Sequence, residues 1–346
     1  MRPATRAELR AWDELVAANP DGGQILQTRA WGEFKRAHRW TPGYLVSETG
    51  PPVAVMMLRH VVPGLGALGY IPKGPGVATT DQLGPVLDGL RANAGGAFAV
   101  KVEPEIEASD SAVAALRRLG LEKSRHDVQI SRATIIVDLR PDEDALIASF
   151  KPKCRYNIRL AARRGVTVAP VPLDDTTIDT MYSLMASTRD RAGFTLRSRA
   201  YFSGYWRLHE AAGQGQLFFA SLDGEVLAGV FATFVGRKAW YKDGGSTKEH
   251  SDAMAPHLLQ WEVMRWLRGR GVESYDLVAV PPRAELDPRH KLYGLYRFKS
   301  GFSDRVTEFV GTWDLPLQRR RFAAWNAIAE RAAHQWAYRV RHDLLY

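Results

Sequence analysis

Residues 216–242 read QLFFASLDGEVLAGVFATFVGRKAWYK, and this stretch decides the fold class. Gln216–Leu222 and Val226–Val235 are rich in β-branched and aromatic residues, with Asp223–Gly224 between them. Asp-Gly accepts the positive φ angles of a tight turn, so the spacing predicts a hairpin. Lys238–Lys242 predicts a third strand. Farther on, Ala255–Arg268 gathers its apolar residues on one helical face, and Ser274–Val280 predicts a fourth strand. A hairpin, a third strand, a long helix and a returning strand build a mixed sheet with helices packed on it.

Upstream of this stretch, Asp142–Arg164 predicts a helix interrupted once, at Pro152, because proline removes a backbone donor and clashes with the preceding turn. Asp174–Ala192 and Ser198–Ala212 predict two more helices. The first part of the chain repeats the mixture. Residues 5–18 predict a helix with Thr5 and Glu8 in capping-box spacing. Strands are expected at Pro42–Ser47, Val53–His60, Ala67–Ile71, Ala97–Glu103 and Asp127–Leu139, and helices at about 80–93 and at 111–119. A Pro72–Gly76 loop breaks the pattern. The class is therefore α/β with mixed α+β sheets, in two similar units at 1–140 and 141–305. A C-terminal strand and helix at 306–346 are expected to pack back on the first unit. In that segment Phe322, Trp325, Ile328, Ala332, Trp336 and Val340 form a helical stripe suited to core packing.

Composition sets outer bounds. The 346 residues are 45% hydrophobic and 25% charged, as in ordinary globular proteins and unlike disordered or fibrous chains. At about 150 residues per domain, this length predicts two domains. One cysteine, Cys154, excludes an internal disulfide framework and cysteine-rich metal sites. Glu8, Asp13 and Glu14 stand where a signal peptide would need an apolar run, and no stretch approaches about 18 uncharged apolar residues. The expectation is a soluble, reduced, cytoplasmic monomer with no transmembrane segment.

Lys and Arg number 47 against 38 Asp and Glu, a net +9, and the excess is regional. Residues 151–164, KPKCRYNIRLAARR, carry Lys151, Lys153, Arg155, Arg159, Arg163 and Arg164 with no acid. Residues 317–346 carry six Arg against Glu330 and Asp343. Arg155, Arg159 and Arg163 lie four apart, so they share a helix face. Such a face either is solvated or meets a polyanion such as a phosphate backbone.

Several chemistries lack their signatures. There is no G-x-x-x-x-G-K-[ST] loop for phosphates, no paired histidines for zinc and no G-x-S-x-G elbow. His257, in an apolar helical run, is expected to be packed. The strand, loop and helix order over 238–280 resembles acyl-CoA N-acetyltransferases, whose glycine-rich loop grips pyrophosphate at the helix start. Here Thr247–Met254 reads TKEHSDAM, with two acids and no glycine, which argues against acyl-CoA.

A more specific resemblance rests on islands that run in order along the chain. They are Trp31–Lys35 (WGEFK), Tyr70–Pro75 (YIPKGP), Lys153–Arg159 (KCRYNIR), Phe194–Arg197 with Tyr201–Phe202, Tyr241–Ser246 (YKDGGS), Leu295–Phe302 (LYRFKSGF) and Glu308–Gly311 (EFVG). Together they resemble the Fem family (FemA, FemB and FemX), non-ribosomal peptidyltransferases of peptidoglycan cross-bridge formation. The resemblance implies two acetyltransferase-like (GNAT-like) domains facing a cleft. No heptad segment is long enough for a coiled-coil arm, so the chain is most similar to the compact FemX type. The implied reaction takes glycine, alanine or serine from aminoacyl-tRNA and joins it to a stem-peptide amine. The implied acceptor is UDP-MurNAc-pentapeptide or lipid II, in the cytoplasm or at the inner membrane face. Aminoacyl-tRNA is then the co-substrate, and no cofactor is expected.

The resemblance also assigns residues. Lys35 matches a lysine at the precursor's diphosphate. Arg197 and Tyr201 match a pair that holds the nucleotide sugar, and their i, i+4 spacing puts them on one helix face. Tyr241, Phe98 and Glu103 match further precursor contacts, although Glu103 stands where the family is expected to have aspartate. Lys299 is the foremost catalytic candidate, because a cation beside the tetrahedral oxyanion of aminolysis would stabilise it. Phe298 is expected to shape the acceptor channel. Glu308 and Asp314 are the carboxylates available to orient or deprotonate the attacking amine. Lys151, Lys153, Arg155, Arg159 and Arg163 form the expected tRNA contact, since phosphate contacts position without reading sequence. Two other classes stay open at this stage: an acyl-CoA-dependent N-acyltransferase of the same fold, and a non-catalytic RNA-binding protein.

Overall fold

The computed structural model describes residues 1–48, 50, 52–192, 196–331, 333 and 346. The chain divides into two compact units, Met1–Arg132 with Glu308–Tyr346, and Ala133–Thr307.

The first unit is built on the strands β1 (Arg2–Pro3), β2 (Thr41–Val46), β3 (Ala54–Val62), β4 (Gly66–Ile71), β5 (Ala97–Val102), β6 (Glu122–Lys123) and β14 (Trp313–Pro316). They lie in the order β1-β2-β3-β4-β5-β14-β6. Only β4 and β5 run parallel, and α4 (Thr80–Asn93) makes the crossover that a parallel pair requires. Leu83, Leu87 and Leu90 of α4, with Leu116 of α5 (Asp110–Arg118), pack against Val55, Met57, Val100 and Val102. Elsewhere on the sheet, Leu68, Phe98 and Ala99 receive Phe322 of α12 (Arg319–Ala324) and Trp325, which follows it. Near its start the unit carries α1 (Arg6–Arg10), α2 (Trp12–Ala17) and α3 (Arg29–Ala37).

The second unit holds the strands β7 (Ala133–Asp138), β8 (Thr167–Val171), β9 (Gly215–Leu222), β10 (Glu225–Val235), β11 (Lys238–Ser246), β12 (Ser274–Asp276) and β13 (Val306–Glu308). Their order is β13-β7-β12-β11-β10-β9-β8. Here the parallel pair is β11 and β12, joined through α10 (Ala255–Arg268). Strand β10 is buried on both faces. Ala228, Val230 and Ala232 belong to the core that contains Leu259, Val263 and Met264 of α10. Phe231 meets Tyr205 and Trp206 of α9 (Arg199–Ala211). The remaining helices are α6 (Glu143–Ser149), α7 (Pro152–Arg163), α8 (Asp175–Ala192) and α11 (Tyr293–Lys299). At 18 residues, α8 is the longest described helix, and no coiled-coil arm occurs among the described residues.

The hairpin forms at the predicted turn, with φ +50° at Asp223 and +84° at Gly224. The predicted break before Pro152 separates α6 from α7. Residues 5–18 instead form two helices divided at Ala11, whose φ of −96° and ψ of 20° leave the helical range. The capping box of Thr5 and Glu8 is present. Two predicted strands are shorter than expected. The run 127–139 is strand only from Ala133, and 274–280 stops at Asp276, where the backbone bulges. Strands β1, β6 and β8, two to five residues long, were not anticipated, while the segment 306–346, expected to hold one strand, holds both β13 and β14. Of the C-terminal stripe, Phe322 and Trp325 are buried, while the side chain of Ile328, and Ala332, Trp336 and Val340, lie outside the described residues.

Candidate functional site

Two polar clusters stand out, one in each unit. In the first unit Glu103 directly follows β5 and is 4% exposed. One carboxylate oxygen accepts from Tyr70 Oη at 2.7 Å, Gln129 Nε2 at 3.0 Å and the Lys73 amide at 3.3 Å. The other accepts from Thr312 Oγ1 at 2.8 Å. The Pro72–Gly76 loop is tied to the same place, because the Glu103 amide donates to Gly74 O at 2.7 Å. Burial, with Glu103 adding to it, pushes the Tyr70 phenol well above its usual pKa, so it stays a donor. Beside this carboxylate lies an open depression, lined among others by Lys73, Glu105, Asp127, Arg132 and Phe309. The Lys73 amine pairs with Glu105 at 3.4 Å and lies 5.4 Å from the Phe309 ring. Asp127 pairs in turn with Lys123 at 2.7 Å.

Asp314, on β14, lies within the sheet at 1% exposure. It accepts from Lys101 Nζ at 2.8 Å and Ser124 Oγ at 2.6 Å, and Lys101 also pairs with Glu330 at 3.0 Å. Burial pushes the Asp314 pKa up, with Lys101 holding it back. This carboxylate is committed to a structural ion network. Phe98 is fully buried, 5.8 Å from the Trp325 ring. Lys35, on α3, is 2% exposed with its amine 5.4 Å from the Trp31 ring. The island that contains it is tightly packed, since a Cβ at Gly32 would come within 2.6 Å of the Tyr44 hydroxyl. Glu308 ends β13 half-buried, and its carbonyl accepts from the Ala108 amide at 2.7 Å.

In the second unit Lys299 ends α11 at 4% exposure. Its amine donates to Val278 O at 2.6 Å and Ala279 O at 3.1 Å, and stands 5.6 Å from the Tyr241 ring. Burial lowers the Lys299 pKa to about 7, opposed by the negative charge of Asp276. Near neutral pH such an amine exchanges its proton readily, so it can serve as a cation or as an acid–base group. Tyr241 is pushed by burial to about 12 and stays protonated. Phe298 packs edge-on to His257 and Phe302, at 5.1 and 5.5 Å. His257 is held neutral, its pKa lowered to about 4 by burial, and it meets Asn157 Nδ2 at 3.2 Å.

The YKDGGS island owes its glycines to packing. A Cβ at Gly245 would lie 2.4 Å from the Leu184 carbonyl carbon of α8, and Asp243 receives the Trp206 indole at 2.9 Å. Arg197 stacks on Tyr201, 4.3 Å from its ring centroid, and Ser198 caps α9 beside them. Phe194 and Thr195 of that island lie outside the described residues. Along α7, Lys151, Lys153, Arg159 and Arg163 are exposed, as is Tyr156. Arg155 differs: it turns back and donates to Ala148 O at 2.8 Å and Phe150 O at 2.7 Å, capping the end of α6. Arg164 pairs with Asp252 at 2.5 Å. Sequence reasoning did not single out Gln129 or Thr312 beside Glu103, nor Asp276 near Lys299. Only Asp276 left a trace, as an acid set in the apolar run SYDLVAV.

The two mixed sheets, the second with a helix carrying the chain between parallel strands, define a protein with tandem acetyltransferase-like domains. An acetyltransferase (GNAT) domain model matches residues 149–300, and a FemAB family model matches residues 8–223. The chain belongs to the FemAB family. It is 26% identical to the lipid II:glycine glycyltransferase of Staphylococcus aureus strain MRSA252, over 89% of this chain and 91% of that protein. The same identity and coverage hold for the enzyme of strain USA300. Among solved structures, the crystal structure of FemX superposes with a TM-score of 0.82 at 23% identity, covering 94% of this chain and 99% of that one. L-PGS from Bacillus licheniformis shares the fold more distantly, with a TM-score of 0.52 and 14% identity over 95% of this chain and 96% of that one.

Proposed function

We propose that this chain is an aminoacyltransferase of peptidoglycan cross-bridge formation. It moves glycine, alanine or serine from aminoacyl-tRNA to the stem-peptide amine of UDP-MurNAc-pentapeptide or lipid II. The observation that carries this is the similarity to lipid II:glycine glycyltransferase over 89% of the chain. Among the described residues no helix is long and apolar enough to cross a membrane, so a lipid-linked acceptor would be met at the membrane surface.

In the reaction the acceptor nitrogen attacks the ester carbonyl, a C–N bond forms, and the C–O bond to the terminal ribose breaks. The amine gives up a proton and the departing ribose oxygen takes one. Lys299 is assigned to the oxyanion. It has three donors, and its bonds to Val278 and Ala279 occupy two of them. Phe298 borders the acceptor channel, with Tyr241, Arg197 and Tyr201 as further precursor contacts in the second unit. The Glu103 depression in the first unit is assigned to the peptide portion of the precursor, and Lys35 to its diphosphate, while Phe98, fully buried against Trp325, supports the sheet from which Glu103 emerges. Glu308 is the preferred carboxylate for the attacking amine, since Asp314 is held by Lys101. The exposed cations of α7, Lys151, Lys153, Arg159 and Arg163, support tRNA binding. The enzyme needs no bound cofactor in this scheme.

The test is direct incubation of the protein with each charged tRNA and each acceptor, followed by mass spectrometry. A gain of one glycyl, alanyl or seryl residue is expected, and acetyl-CoA in place of charged tRNA should give no product. Absence of product with all three donors on both acceptors would refute the proposal.

A further inference from the structure

The backbone that holds Lys299 is itself unusual. Asp276 pairs with Ile136, and the Leu277 amide then donates to Ile135 O at 2.9 Å. The next bridge is Ala133 with Val280, whose amide donates at 3.0 Å. Two residues, Val278 and Ala279, therefore stand opposite one, Thr134. This is a β-bulge, a device that re-aims groups beside functional sites. Both bulged residues lie in the left-handed region, at φ +56° and +34°. A β-branched valine is a genuine outlier there, and it persists only where its surroundings impose it. What imposes it is Asp276: Oδ1 accepts from the Val278 amide at 2.6 Å and from the Thr134 hydroxyl. The outcome is that two successive carbonyls converge on Lys299 Nζ.

We propose that Asp276 is a positioning residue for Lys299, folding the bulge whose two carbonyls hold the Lys299 amine. This rests on the assignment of Lys299 to the transfer step. Asp276 also supplies charge. On the neighbouring elements burial holds the phenols of Tyr241 and Tyr275 and the thiol of Cys154 protonated and keeps His257 uncharged. Of the charged groups there, Lys242 of β11 pairs with Asp243, and Lys153 of α7 acts on His257. On α11 itself Arg297 is exposed. Asp276 is the charge that counters the desolvation of Lys299. Without it the amine loses its proton at lower pH.

The test measures transfer against pH with the donor and acceptor pair that the full chain accepts, for Asp276→Asn, Asp276→Ala, Thr134→Val and Lys299→Met. Lysine labelled with 13C at Cε gives the Lys299 titration by NMR, assigned by its loss in Lys299→Met. Asp276→Asn keeps an acceptor for both bonds but removes the charge. It should move the alkaline limb of kcat, and the NMR titration, down by about one pH unit or more, with KM for the precursor unchanged. Asp276→Ala should lower kcat at every pH by about tenfold or more, and adding Val278→Gly should restore part of it, since glycine takes positive φ without a tether. If Asp276→Ala does not fold, Asp276→Asn and Thr134→Val carry the test. A wild-type kcat, pH profile and Lys299 titration in Asp276→Asn and Thr134→Val, while Lys299→Met is inactive, would overturn the proposal. Full activity in Lys299→Met would instead remove the assignment on which it rests.

Discussion

Lys299 and Glu103 are buried ionisable side chains that differ in how they are satisfied. Lys299 has carbonyls on two of its protons and a pKa lowered to about 7 by burial. If the cation is the working form, transfer should fall with rising pH above about 7, as a pH profile of kcat would record, and Lys299→Met should lose turnover while keeping tRNA affinity. The same shift has a thermodynamic sign. Between pH 7 and the ordinary lysine pKa the unfolded chain binds more protons than the folded one, so this group makes stability rise with pH across that window. Denaturation midpoints measured at pH 7 and pH 9 should show a smaller difference in Lys299→Met. Glu103 is held by four donors. Glu103→Gln replaces an acceptor by an amide donor facing Tyr70 or Thr312, and should cost about 1–3 kcal/mol in chemical denaturation. In the transfer assay it should also raise KM for the precursor.

At the scale of elements, α7 shows how far spacing alone carries. The i, i+4 rule places Arg155, Arg159 and Arg163 on one face, yet Arg155 is spent on the carbonyls that α6 leaves open at its end. Replacing Arg159 or Arg163 with alanine should therefore weaken tRNA binding and reduce the salt slope of log K by up to about one each. Arg155→Ala should leave that slope unchanged and lower the melting temperature. Filter binding across a salt series, with calorimetry, separates the two. The YKDGGS motif gives a second case. Gly245 permits α8 to approach β11, so Gly245→Ala should destabilise the chain by about 1–3 kcal/mol in a denaturant titration. Motif spacing reported where such residues fall. It could not separate ligand contact from close packing, because both select the same glycine or arginine.

At the scale of the whole molecule, each unit is stabilised by a sheet whose strands come from distant parts of the sequence. Strand β14 lies between β5 and β6, and its Asp314 meets Lys101 across 213 positions. Lys101→Met would leave Asp314 and Glu330 buried without their cation, at a cost of about 3–5 kcal/mol in chemical denaturation.

The sequence by itself determined the mixed α/β class, the hairpin at Asp223–Gly224, the break at Pro152 and the ordered islands of the Fem family. Each of these is written in local propensity or in a fixed run of residues. The tertiary structure decided which ionisable groups are satisfied internally, why Val278 and Ala279 adopt left-handed backbone, and what stands beside Lys299 and Glu103. Those outcomes depend on pairing between strands far apart in the chain. Burial then makes each pairing energetically decisive, because a polar group shielded from water must find its partner within the fold.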